Sequence, residues 1–205
     1  MVTIIDYGLG NLGSIKNMLT KVGSPSQITN DLELIKNATK LILPGVGAFD
    51  NGMMNLKDMN VIDILNQKVL VDKTPILGIC LGMQLFTKSS EEGQLPGLGW
   101  VDANTRKFDT STSERKYTIP HMGWEFVKQQ KESKLLLDMY DEAKYYFVHS
   151  YFVKSNQEQD VLLTTEYINE YVSAFEKENI LGVQFHPEKS HKFGMKLFKN
   201  FVENY

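Results

Sequence analysis

A single cysteine in 205 residues excludes an internal disulfide framework and any metal site built from cysteines alone. Such sparing use of thiols fits a reducing compartment. Four histidines add no metal site, because no pair has convincing ligand spacing. Long apolar runs are missing: none approaches the ~18 residues of a membrane helix. The opening "MVTIIDYGLG" lacks a basic region followed by a long apolar stretch, so no signal peptide is expected. Charge of one sign is scarce as well. A net −3 leaves no electrostatic footprint for nucleic acid. Repeats, low-complexity segments and linkers are absent. What remains is 42% hydrophobic and 23% charged residues, ordinary for a globular protein. One domain over 1–205, in the cytoplasm, with neither metal nor cofactor, is the expectation.

Three short apolar runs read as buried strands: "VTIID" (2–6), "KLILPGVG" (40–47) and "TPILGI" (74–79). Between them, "NLGSIKNMLTKVG" (11–23) places Leu12, Ile15, Leu19 and Val22 on one helical face and stops at Gly23. "SQIT" is a weak strand, Asp31 is positioned to cap a helix over "DLELIKNA", and 59–71 reads as one helix. Strand and helix alternate over 1–90, as in a parallel α/β sheet. Beyond 97 the chain turns aromatic and β-branched, strand after strand. "DTSTSERK" (109–116) is the most loop-like stretch, and "ESKLLLDMY" reads as a short helix. A final helix carries Phe193, Leu197 and Phe201 at i, i+4, i+8.

The lone cysteine sits in Gly78-Ile79-Cys80-Leu81-Gly82, the thiol form of a nucleophile elbow. Glycines suit a turn that brings strand and helix close together. The helix N-terminus favours a thiolate, and the Leu81 N–H would be free for an oxyanion. The plain alternative is a buried core cysteine. A nucleophile needs a base and the base an orienter. In "GVQFHPEKS", Pro187 biases His186 towards an extended backbone, where Glu188 at i+2 faces the same way. A charged turn with an exposed histidine is the alternative there. His149 reads as a core or lining residue, His121 as a surface turn, and His191 as a solvated residue without a role.

"GLGNLG" (8–13) competes, since it matches the dinucleotide fingerprint between a strand and a helix. Asp31 follows Gly13 by 18 residues, near the place of a ribose-binding acid. An oxidoreductase is therefore a rival reading. Against it, the third glycine falls inside the helix and the second half lacks further clear βα units. A catalytically silent docking module is a third class.

"GICLGMQ", "LPGVGAF" and "GVQFHPEKS" together resemble the class I (triad) glutamine amidotransferases. "DYGLGNLGSI", "SSEEG", "IPHMGW" and "YYFVHSY" resemble most the glutaminase subunits of imidazole glycerol phosphate synthase. The resemblance implies an α/β, flavodoxin-like fold with a mixed, mostly parallel central sheet flanked by helices. It implies Cys80 as nucleophile, His186 as proton carrier and Glu188 as orienter. Leu81, Val46 and Gly47 would hold the oxyanion, the glycine permitting a peptide flip. Gln84, Glu92, His149, Ser150 and Tyr151 would surround L-glutamine, with Glu92 on its α-amino group. Asn11, Trp124, Tyr146 and Lys189 would meet a separate (β/α)8-barrel cyclase in a heterodimer. That partner uses the ammonia to make imidazole glycerol phosphate and AICAR in histidine biosynthesis. Two features depart from this pattern. Glu125 stands where asparagine is usual. "LPGLGWVDA" and "HPEKSHKFGMKLFKNF" look more like paralogous subunits that supply a sugar amidotransferase in surface-glycan synthesis.

Overall fold

The computed structural model describes residues 1–112 and 116–205, so part of the loop-like stretch at 109–116 lies outside the described residues. Its described part includes a 3-10 turn at Thr110–Thr112. The first half alternates β1 (Val2–Ile5), α1 (Leu12–Lys21), β2 (Ser26–Thr29), α2 (Leu32–Lys36), β3 (Leu41–Leu43), α3 (Phe49–Asp58), α4 (Ile62–Asn66), β4 (Ile76–Ile79) and α5 (Leu81–Leu85). The second half holds β5 (Ala103–Lys107), β6 (His121–Phe126), β7 (Lys128–Gln129), β8 (Lys144–His149), β9 (Tyr151–Ser155), β10 (Val161–Glu166), β11 (Glu170–Lys177) and β12 (Ile180–Val183), before α6 (His191–Asn204).

Five strands run parallel in the order β2-β1-β3-β4-β12. Antiparallel β11, β10 and β7 extend that sheet, and β9 with β5 branches from β11. β6 and β8 form a separate two-stranded ribbon. The central strands are apolar throughout because both faces are covered. Side chains alternate between the faces. Ile4, Ile42, Leu77 and Ile79 meet α1 and α6, through Ile15, Leu19, Leu197 and Phe201. Ile5, Leu41, Leu43 and Ile76 meet α3 and α5, through Phe49, Leu56, Leu81 and Leu85.

Two sequence expectations change here. Residues 59–71 are not one helix: Met59 caps α3, Asn60 takes φ 56, α4 is five residues long, and Gln67–Val71 forms a π-helical turn. "ESKLLLDMY" forms only a 3-10 turn at Lys134–Leu136, with Ser133 capping Leu135 N–H and Asp138 leaving at φ 50. α3 lies in a stretch to which the sequence reading assigns no element. Asn and Gly mask its pattern there, yet Phe49, Gly52, Met53 and Leu56 recur at helical spacing and are buried. Asp31 caps α2 as expected, accepting from Glu33 and Leu34 N–H.

This topology creates a site. β3, β4 and β12 are neighbours in register, Leu43 beside Gly78 and Ile79 beside Val183. Their carboxyl ends therefore release the "PGVG" loop, Cys80 and the His186 segment at one edge, where open α/β sheets bind ligands.

Candidate active site

Cys80 leaves β4 at φ 54, ψ −108, a strained conformation for a residue with a side chain. Its N–H donates to Val183 O at 2.8 Å, tying the turn to β12. The flanking glycines are required. A Cβ on Gly78 would lie 2.6 Å from the Phe86 ring, and one on Gly82 would lie 1.9 Å from Leu43 O.

His186 Nδ1 lies 2.8 Å from Glu188 Oε1, both side chains almost fully buried. The i, i+2 geometry does not come from a strand. His186 is extended at φ −101, but Pro187–Lys189 is a 3-10 turn that swings Glu188 back. Ser190 Oγ pins the turn by donating to His186 O at 2.6 Å. Among the described residues His186 Nε2 makes no conventional hydrogen bond, and it interacts with the Cys80 side chain. Burial pulls the His186 pKa down, but Cys80 and Glu188 outweigh it and push it up to about 10. Both neighbours thus favour the protonated ring.

The Leu81 N–H, expected from the sequence to be free, is not: it donates to Gly45 O at 3.3 Å. A carbonyl of the "PGVG" loop thus occupies the N–H expected to hold the oxyanion. Two residues on, Gly47 takes φ 107, which favours glycine.

Val46, Gly47, Cys80, Leu81, Gln84, Glu92, His149, Ser150, Tyr151 and His186 all line one pocket of about 450 Å³. Glu92 Oε2 accepts the Phe49 N–H at 2.9 Å. Gln84 is buried and donates to Tyr151 O at 3.1 Å and Gln184 Oε1 at 3.0 Å. His149 Nδ1 donates to the same carbonyl at 2.7 Å. Its Nε2 must then accept, at 3.2 Å, from the Tyr171 hydroxyl, and His121 Nδ1 lies 3.3 Å beyond.

His121 is no surface residue. It is 1% exposed, stacked between Phe147 and Tyr167. The aromatic residues that bury it lie far away in sequence. Burial lowers the His121 pKa to about 4; burial, with His121 and His186 nearby, lowers that of His149 to about 3 despite its bond to Tyr151 O. Both folded values lie below the unfolded one, so acid favours unfolding from about pH 6.5 downward. From pH 6.5 down to 5, the cost per ring is expected to steepen from about 0.7 to about 1.4 kcal/mol per pH unit. Urea midpoints across that range should show the slope, and His121→Phe should lower it by about half, leaving the His149 share. An unchanged slope in the variant would contradict this account.

The expected interface residues group in part. Lys189 Nζ sits 5.6 Å over the Tyr146 ring, and the Trp124 ring lies 6.3 Å from Tyr146. His191, expected to be solvated without a role, is exposed but stacks on Trp124 at 5.4 Å. Asn11 stands at the N-cap of α1, its side chain making no capping bond.

A family model for class-I glutamine amidotransferases matches residues 3–205. The chain belongs to the class-I glutamine amidotransferase family. It is 60% identical over 203 residues to "Imidazole glycerol phosphate synthase subunit HisH 2" of Methanococcus maripaludis, covering 99% of each chain. The Pseudomonas aeruginosa protein of that name is 46% identical, again with 99% of each chain covered. A solved glutamine amidotransferase shares the fold at TM-score 0.75 and 16% identity, covering 98% of this chain and 97% of its own. In this amidotransferase the dinucleotide reading of "GLGNLG" fails on geometry too. Nothing lies within 4 Å of a Cβ on Gly13, so the third glycine serves no close packing. Asp31 is occupied as a helix cap. No helix among the described residues is long and apolar enough to cross a membrane.

Proposed function

We propose that this amidotransferase hydrolyses L-glutamine with Cys80, His186 and Glu188, and delivers the ammonia to a cyclase barrel that makes imidazole glycerol phosphate and AICAR. The observation that carries this reading is the buried Glu188–His186–Cys80 line opening on the glutamine-sized pocket. Cys80 Sγ attacks the side-chain amide carbon. His186 Nε2 gives its proton to the departing nitrogen, which leaves as ammonia. A water then gives a proton to Nε2 while its oxygen joins the thioester carbon. Glutamate leaves and the sulfur recovers its charge beside the imidazolium. Glu188 holds the ring throughout, and Glu92 Oε1 receives the α-ammonium of glutamine.

The oxyanion hole is shut in this conformation. Turning the Gly45–Val46 peptide would withdraw the Gly45 oxygen from Leu81 N–H and present Val46 N–H instead, with Gly47 absorbing the change. A barrel partner is supported by the exposed Met122, Trp124 and Phe126 in alternation along β6. Tyr146 and Lys189 beside them adjoin the catalytic segment, because His186 N–H donates to Tyr146 O at 2.9 Å.

The test is glutamate release from glutamine by the chain mixed with a histidine-pathway cyclase barrel, with and without its ribonucleotide. The chain alone should be slow, and partner plus ribonucleotide should raise the rate about 10²- to 10³-fold, the worth of an oxyanion donor. Hydrolysis without stimulation would move the acceptor elsewhere, a sugar amidotransferase being the next candidate. No glutamate under any condition would overturn the hydrolytic reading.

A further inference from the structure

We propose that Gln184 is a further catalytic residue, whose side-chain amide donates to the Cys80 sulfur and stabilises its negative charge, with Gln84 as the positioning residue that orients that amide. The inference deepens the hydrolytic reading and rests on it for its place in the reaction.

Gln184 follows β12 directly and is fully buried. Its backbone N–H is fixed on Ser173 O at 2.9 Å. Its Nε2 lies 3.7 Å from Cys80 Sγ, at hydrogen-bond distance for sulfur. It is not among the residues lining the pocket, so it reaches the nucleophile from behind rather than the substrate.

The two ends of an amide differ only in what they can donate, so the orientation needs an independent anchor. A backbone carbonyl supplies it. Tyr151 O can only accept, so the Gln84 atom 3.1 Å away is its nitrogen. That same nitrogen is 3.0 Å from Gln184, which therefore presents oxygen to Gln84. The other end of Gln184, its NH₂, then faces the sulfur. Every link in the chain from Tyr151 O to Cys80 Sγ has a determined direction.

The chemistry needs such a donor. α5 behind Cys80 has only five residues, a short source of helix dipole. A hydrogen bond strengthens when its acceptor is ionised and weakens when the sulfur becomes a neutral thioester. The Gln184 amide thus favours the charged sulfur before attack and again as glutamate leaves.

The test is alkylation of Cys80 by iodoacetamide as a function of pH, with no glutamine present. In Gln184→Met, of similar shape without the donor, the alkylation profile of the Cys80–His186 pair should move to higher pH by about one unit. Gln184→Glu keeps the outline and should move it at least as far, which provides a second variant if the first folds poorly. Gln84→Met should give a smaller shift of the same sign. In glutamine turnover, Gln184→Met should lower kcat while KM stays within about twofold. A folded variant with an unmoved profile, or a raised KM with kcat intact, would overturn the assignment. A moved profile in a chain that releases no glutamate would uphold Gln184 at the sulfur and reject the hydrolytic reading alone.

Discussion

Cys80→Ala is expected to lower glutamate release by at least about 10⁴-fold, with fold and partner docking retained. The loss is large because no other described side chain in the pocket is a comparable nucleophile, so the thioester route closes altogether. What survives is the modest rate that binding and an oxyanion site give to attack by water. The fold should tolerate the change: alanine removes one sulfur from a pocket wall and leaves the Cys80 N–H to Val183 O bond in place. The Trp124, Tyr146 and Lys189 cluster does not involve the thiol, so co-elution with a barrel partner should persist. Cys80 is also the first of the two groups that raise the His186 pKa, so the imidazolium should titrate lower in the variant, which NMR of the ring would read. Glutamate release above about a hundredth of the parent rate would rule out Cys80 as nucleophile.

The largest stability effect is expected at Gly82→Ala. The new methyl would sit 1.9 Å from Leu43 O, a backbone atom of the central strand β3. Neither partner can step aside, because β3 is paired on both sides and α5 must start directly after the elbow. A loss of more than about 3 kcal/mol follows, read from the urea midpoint. Gly13→Ala is the control. Nothing lies within 4 Å of its Cβ, it is inside α1, and the change should stabilise by about 0.5–1 kcal/mol. Equal effects at the two positions would refute the close-approach explanation of the elbow.

These contrasts show what local sequence can carry. β1, β3 and β4 are legible because a strand buried on both faces is a short unbroken apolar run. The elbow is legible because its steric demands fall on residues within two places of Cys80. Asp31 is legible for the same reason, the N–H donors it caps being two and three residues away. Other features depend on distant partners. His121 reads as a turn beside Pro120 until Phe147 and Tyr167 close over it. Gln184 reads as one more strand residue until the parallel pairing of β4 and β12 sets it behind a cysteine 104 positions away. The Leu81 N–H looks available to any local reading, because its acceptor, Gly45 O, arrives from the loop after β3, 36 residues earlier. Three local readings fail as well: 59–71 breaks at Asn60, "ESKLLLDMY" closes only a 3-10 turn, and the apolar stripe of α3 is hidden among Asn51, Gly52 and Asn55.

The Gly45 oxygen on Leu81 N–H has a bearing on cellular economy. Glutamine is the common nitrogen donor of many biosynthetic routes, and an unregulated glutaminase would drain it. If the chain works as proposed, a resting form without an open oxyanion hole would turn over slowly whenever it is produced in excess of its partner. Surplus copies would stand idle rather than deplete the pool, so the cell need not match the synthesis of the two subunits closely.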